Sequence, residues 1–129
     1  MTKILIVDDR EVVRKELRNL LDLAGIVTIV GEAADGWEAI RQAKALNPDI
    51  VLMDLEMPGL DGFEATRQIK ALQLARTVII ITVYADVDSQ QKAQEAGADA
   101  FFVKGTDLHI LLELFDHFSQ RPDNEPGTG

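Results

Sequence analysis

Two adjacent aspartates, Asp8 and Asp9, follow a short apolar run near the start of the chain, and Asp54 follows a later one. Thr82 and Lys104 stand at the ends of two further runs. Three carboxylates brought to one partly buried edge repel each other, and the repulsion costs stability unless a cation intervenes. With oxygen ligands, no cysteine and no close histidine pair, the suitable cation is hard, and Mg²⁺ fits best. Mg²⁺ would also neutralise an incoming phosphoryl group. A carboxylate can accept that group as a labile acyl phosphate. Lys104 offers a compact positive charge to its oxygens, and Thr82 a hydroxyl donor. Taken singly, each residue has an ordinary explanation. An Asp-Asp pair is frequently a solvated turn, and Asp54 lies beside the turn chemistry of Pro58-Gly59 and Asp61-Gly62. The information lies in the joint placement.

The elements that must position these residues are readable from periodicity. Short continuous apolar runs occur at Ile4–Val7, Ile26–Val30, Ile50–Met53, Val78–Ile81 and Phe101–Val103. Each is too short for a helix and mostly β-branched or aromatic, the pattern of strands covered on both faces in a parallel sheet. Between them lie stretches with helical spacing. The first carries Val13, Leu17, Leu20, Leu21 and Ala24; the second Trp37, Ile40, Ala43 and Leu46; the third Phe63, Thr66, Ile69 and Leu72. Asp35 is the expected cap of the second helix, Gly25 stops the first, and Asn47-Pro48 ends the second. Alternating strands and helices predict an α/β layer fold with right-handed crossovers. In such sheets ligands bind outside the carboxyl ends of the strands, which is where Asp8, Asp9, Asp54, Thr82 and Lys104 fall.

The helical stretch from Asp86 to Ala96 has as apolar residues only Val87, Ala93, Ala96 and their small neighbours, so it buries little and is predicted to be the least stable element. The stretch from Asp107 to Phe118 is the opposite case. Leu108, Leu111, Leu112, Phe115 and Phe118 form a core stripe, which Ile110 and Leu114 widen. Val12 and Leu23 do the same for the first helix, and such surplus apolar surface suits a partner. His109 and His117 are expected on the exterior, not on one face. Trp37 is expected to pack on its helix near the site.

Composition sets the outer bounds. The chain has 129 residues, a formal net charge of −9 and no cysteine. That length predicts one domain, covering residues 1–118, with 119–129 as a flexible C-terminal tail or linker. The acidity argues against direct nucleic-acid binding. No apolar run approaches a membrane span, and the N-terminus does not look like a signal peptide. A reducing, cytoplasmic setting is expected.

The stretches "ILIVDD", "DIVLMDLEMPGLDG", "VIIITVYA" and "AGADAFFVKG" resemble the successive motifs of bacterial response-regulator receiver domains. The resemblance covers roughly residues 3 to 118. It implies a flavodoxin-like (βα)₅ doubly wound parallel sheet with strand order 2-1-3-4-5. It further implies Asp54 as phosphoacceptor, and Asp9, Asp54 and the backbone carbonyl of Glu56 as Mg²⁺ ligands, with Asp8 reaching the metal through water. Lys104 takes the place of the phosphate-pairing lysine, Thr82 that of the switch hydroxyl and Phe101 that of the aromatic switch residue. The implied partner is a sensor histidine kinase or a histidine phosphotransfer protein. "VGEAADGWEAI" looks like the subfamily fused to LuxR-type helix-turn-helix outputs, whose receivers pair through the first and fifth helices. The face of helix 4, strand 5 and helix 5 is the other implied contact surface.

Several positions depart from the family pattern. Gly105 replaces the frequent proline after the lysine. Val83, following the switch threonine, is bulkier than usual. Val83, Glu56 and Tyr84 occupy positions that tune hydrolysis, and the departure at Val83 predicts a long-lived aspartyl phosphate. Two alternatives remain open at this point. One is a degenerate receiver acting as an interaction module. The other is a haloacid-dehalogenase-like phosphatase, loosely suggested by Asp54-Leu55-Glu56, although that family places its nucleophile after the first strand.

Overall fold

The computed structural model describes residues 1–120. Ten elements alternate: β1 Thr2–Val7, α1 Glu11–Ala24, β2 Val27–Ala33, α2 Gly36–Leu46, β3 Ile50–Asp54, α3 Gly62–Ala71, β4 Thr77–Thr82, α4 Val87–Ala96, β5 Ala100–Val103 and α5 Leu108–Ser119. The strands form one parallel sheet in the order β2-β1-β3-β4-β5, as the sequence motifs implied.

Alternate strand residues feed two separate cores. Leu5, Val7, Val51, Met53, Val78 and Ile80 pack on one face, with Ala39 and Ala43 of α2, Ala65 and Ile69 of α3, and Ala93 of α4. Ile4, Ile6, Ile50, Leu52, Ile79 and Ile81 pack on the other, with Leu21 of α1 and Leu111 and Phe115 of α5. Each fully buried aliphatic or aromatic side chain contributes about 1.5–3 kcal/mol. Covering on both faces is what made the central strands read as unbroken apolar runs.

Helix ends follow their caps. The Asp35 side chain accepts from Glu38 N at 2.8 Å, while Glu38 reaches back to Ala34 N at 2.7 Å, a reciprocal box. Asp61, Asp86 and Asp107 cap α3, α4 and α5, so Asp86 and Asp107 precede their helices. Gly25 and Asn47 end α1 and α2 in the left-handed region, as expected.

Five details differ from the sequence reading. β2 starts one residue later than its apolar run and extends to Ala33, leaving Ile26 40% exposed. As an edge strand it needs less apolar surface, and a register shift between Ile4 and Leu5 brings Gly31, Glu32 and Ala33 into pairing. Leu72 is exposed, because α3 ends at Ala71 and the positive φ of Gln73 turns the chain so that Leu74 packs on the core instead. Leu114 packs against the α1/α5 core and is not surplus surface. Trp37 is 54% exposed and packs less than expected. Ser119, assigned to the tail, is the last residue of α5; the remainder of that expected tail, 121–129, lies outside the described residues.

Candidate functional site at the carboxyl edge

Sheet register assembles the site. Val7 pairs with Met53, so the residues that follow, Asp8 and Asp54, emerge side by side between β1 and β3. This is where the chain order reverses, the place ligands occupy in such sheets. Asp54 in turn pairs with Ile81, next to Thr82, and Thr82 pairs with Val103, next to Lys104. Four strand ends thus deliver five side chains to one edge.

Among the described residues, Asp8, Asp9 and Asp54 each offer a carboxylate oxygen within 4.8 Å of the others, suiting them to a metal ion. Asp8 and Asp54 are buried, whereas Asp9 is exposed. Lys104 Nζ lies 3.2 Å from Asp8 Oδ2 and 3.5 Å from Asp54 Oδ1. Arg10 adds a backbone N–H to Asp8 Oδ1 at 2.9 Å. Burial, and then the charge of Asp8, push the Asp54 carboxyl up to about 6, while Lys104 opposes them. A hard divalent cation fits this donor set, since it would offset the charge that Lys104 neutralises incompletely.

The site opens into a cavity of about 820 Å³ whose walls include Asp9, Asp54, Glu56, Thr82, Val83, Tyr84 and Lys104. Thr82 is buried, its hydroxyl accepts from Tyr84 N at 3.2 Å, and its carbonyl accepts from Lys104 N at 2.6 Å. The Glu56 carboxylate beside the Tyr84 phenol holds it above its usual range, and both residues, from the β3–α3 and β4–α4 loops, stand at the rim. Val83 stands there 60% exposed. Gly62 fixes the loop after Asp54, because a Cβ at this position would lie 2.2 Å from the Asp54 carbonyl oxygen. Gly105, after the lysine, has φ +92°, a conformation that glycine accepts readily.

Phe101 is not part of this cavity. It is half-buried against the core and lines a separate groove with Val87, Gln90 and Ala93 of α4. His109 and His117 are both exposed. Sequence reasoning missed Arg10 at the cavity wall, and also Arg14, Arg18 and Glu32 behind Asp8. The available signal was two arginines four apart on α1 and one glutamate in a largely apolar strand.

Residues 4–116 match the response regulator receiver domain family. The chain belongs to this family. The transcriptional regulatory protein YhcZ of Bacillus subtilis is 43% identical over 111 residues, covering 86% of the chain and 52% of that protein. The nitrate/nitrite response regulator NarL of Escherichia coli is 32% identical over 110 residues, covering 85% and 51%. The receiver therefore spans about half the length of these relatives. Its fold matches the signal receiver domain of NarL from Mycobacterium tuberculosis with a TM-score of 0.84 and 29% identity, covering 93% and 98% of the two chains. The BeF₃-activated DrrB receiver domain matches with a TM-score of 0.79 and 30% identity, covering 94% and 99%. As a receiver, the chain is a phosphoaspartate switch, a phosphoacceptor and not a turnover enzyme, which removes the phosphatase alternative.

Proposed function

We propose that Asp54 accepts a phosphoryl group from a phosphohistidine of a sensor histidine kinase or a histidine phosphotransfer protein. The observation that carries this reading is the convergence of Asp8, Asp9, Asp54 and Lys104 at one strand edge. Asp54 Oδ attacks phosphorus, the N–P bond breaks, and an O–P bond forms. Mg²⁺, held by Asp9, Asp54 and the Glu56 carbonyl with Asp8 behind them, would neutralise the phosphoryl oxygens. Lys104 then pairs with a phosphoryl oxygen, and the Thr82 hydroxyl donates to another. To do so Thr82 releases Tyr84 N and turns toward Asp54, making room for Phe101 to move inward. The groove between α4 and β5 changes with it. Only Ala93 and Ala96 of α4 are buried, so its displacement costs little.

The test is incubation of wild type and Asp54→Asn with Mg²⁺ and acetyl phosphate, read by intact mass. A phosphoryl adduct on wild type alone is expected; an equal adduct on the variant would refute the assignment. Val12, Leu23 and Ile110 stay exposed, which supports a homodimer through α1 and α5, with the α4-β5-α5 face as the other contact surface. A shift in elution volume of the phosphorylated protein reports such pairing. The net charge of −9 disfavours direct DNA binding by this chain. No described helix is long and apolar enough to cross a membrane.

The rim explains the expected phosphate lifetime. Val83, Glu56 and Tyr84 stand at the cavity wall beside Asp54, where their bulk would narrow the approach of water. Val83→Ala is expected to speed dephosphorylation about three- to tenfold, or about 1 kcal/mol of barrier. Decay of the adduct, followed by mass after removal of the donor, checks it; an unchanged rate would contradict the narrowing.

A further inference from the structure

We propose that Arg14 is a positioning residue of the acidic site, fixing the peptide between Asp8 and Asp9 so that both carboxylates address one cation. The inference rests on reading Asp8, Asp9 and Asp54 as that cation's site. Arg14 Nη1 donates to the Asp8 carbonyl at 2.6 Å, and its Nε donates to Glu32 Oε1 at 2.9 Å. The Arg14 side chain is 16% exposed, so this bridge is shielded from competing water. Arg18 completes the frame, with Nε at 2.9 Å and Nη2 at 2.7 Å from Glu32 Oε2. Burial raises the Glu32 carboxyl, but the hydrogen bonds and charges of Arg18 and Arg14 outweigh it and hold the group below its ordinary value. Glu32 therefore stays ionised and keeps Arg14 aimed.

Asp8 is held at every polar group. Its N–H bonds the Ala33 carbonyl at 3.1 Å, its carbonyl takes Arg14, and its carboxylate takes Arg10 N and Lys104. Of these, Arg14 alone grips the peptide that continues into the exposed Asp9. The α1 N-terminus lacks a side-chain cap that could do it, since Arg10 makes no capping hydrogen bond. A guanidinium fork bridges two acceptors in fixed directions, which an ammonium cannot reproduce.

The test is calorimetric Mg²⁺ titration of the full chain without phosphodonor, paired with acetyl phosphate labelling at saturating Mg²⁺. Arg14→Lys, which keeps the charge, is expected to weaken Mg²⁺ binding about tenfold, the low end of the range found for outer partners of metal ligands, and Glu32→Gln, one step further from the peptide, by less. Raising Mg²⁺ to saturation should recover labelling toward the wild-type rate in both, which a general loss of structure would not allow. Unchanged Mg²⁺ affinity in Arg14→Lys overturns the inference while leaving the cation site standing. Absence of Mg²⁺ binding by wild type overturns both. Should thermal melts show Arg14→Lys unfolded, Glu32→Gln decides, with unchanged affinity counting against the positioning role.

Discussion

Lys104→Ala is expected to slow labelling of Asp54 by acetyl phosphate about a hundredfold, the usual loss when one preorganised charge is removed from a site that handles developing negative charge. The lysine has two tasks in this structure. It stands between two buried carboxylates, 3.2 Å from Asp8 and 3.5 Å from Asp54, and limits their repulsion. It also faces the cavity from which a donor must approach. Its side chain is 19% exposed, so water replaces its charge poorly. In the metal-free protein Lys104 lowers the Asp54 carboxyl, so without Mg²⁺ the variant should hold a proton there more firmly. Lys104→Arg should restore part of the rate, since a planar guanidinium carries the charge but not the shape. Time courses by intact mass, with Mg²⁺ saturating for each variant, give the ratio. A loss smaller than about fivefold would assign the phosphoryl-facing charge elsewhere, with Arg10 the next cation at the cavity wall.

The central strands and their ends were legible because burial on both faces leaves an uninterrupted signal, and because each polar residue that breaks a run marks a strand end. Asp8, Asp54, Thr82 and Lys104 were found that way, and the register confirms their convergence. The edge strand was less legible. Gly31 and Glu32 interrupt its pattern, yet pair with β1 after the register shift between Ile4 and Leu5. Leu72 and Leu114 were misplaced because periodicity cannot see a helix that stops early or a face that curves onto a neighbour. The arginine frame around Glu32 was invisible for another reason. Arg14 and Arg18 look like solvated positions on α1 until β2 is set beside them, and no local pattern encodes that neighbour. The Glu56–Tyr84 contact joins two loops in the same way; both residues were singled out from the family resemblance, but their contact was not.

The metal-free protein should gain stability on Asp54→Asn at neutral and higher pH, and the gain should fade with acid. Asp54 sits at about 6 in the folded protein against an ordinary 3.8, so the folded state binds its proton more tightly than the unfolded chain does. Protonation therefore favours folding. The stabilisation is fully present below 3.8 and is lost as pH rises through about 6, above which the ionised carboxylate destabilises the fold. Asparagine keeps the shape and drops the charge. Allowing for the water that reaches this open cavity, the advantage near pH 8 should be about 1–2 kcal/mol, falling well below that near pH 5. Saturating Mg²⁺ should close the gap from the other side, since a cation bound by Asp8, Asp9 and Asp54 stabilises wild type by mass action and the variant less. Urea melts with chelator and with Mg²⁺, at both pH values, measure each part. A difference that is constant across pH would mean that Asp54 carries no electrostatic penalty, and a variant less stable than wild type near pH 8 without metal would mean that Lys104 already neutralises the site. If both expectations hold, the burial and the Asp8 repulsion that make an ionised Asp54 costly in the empty fold are what a bound cation relieves, so stability is given up where the switch must bind.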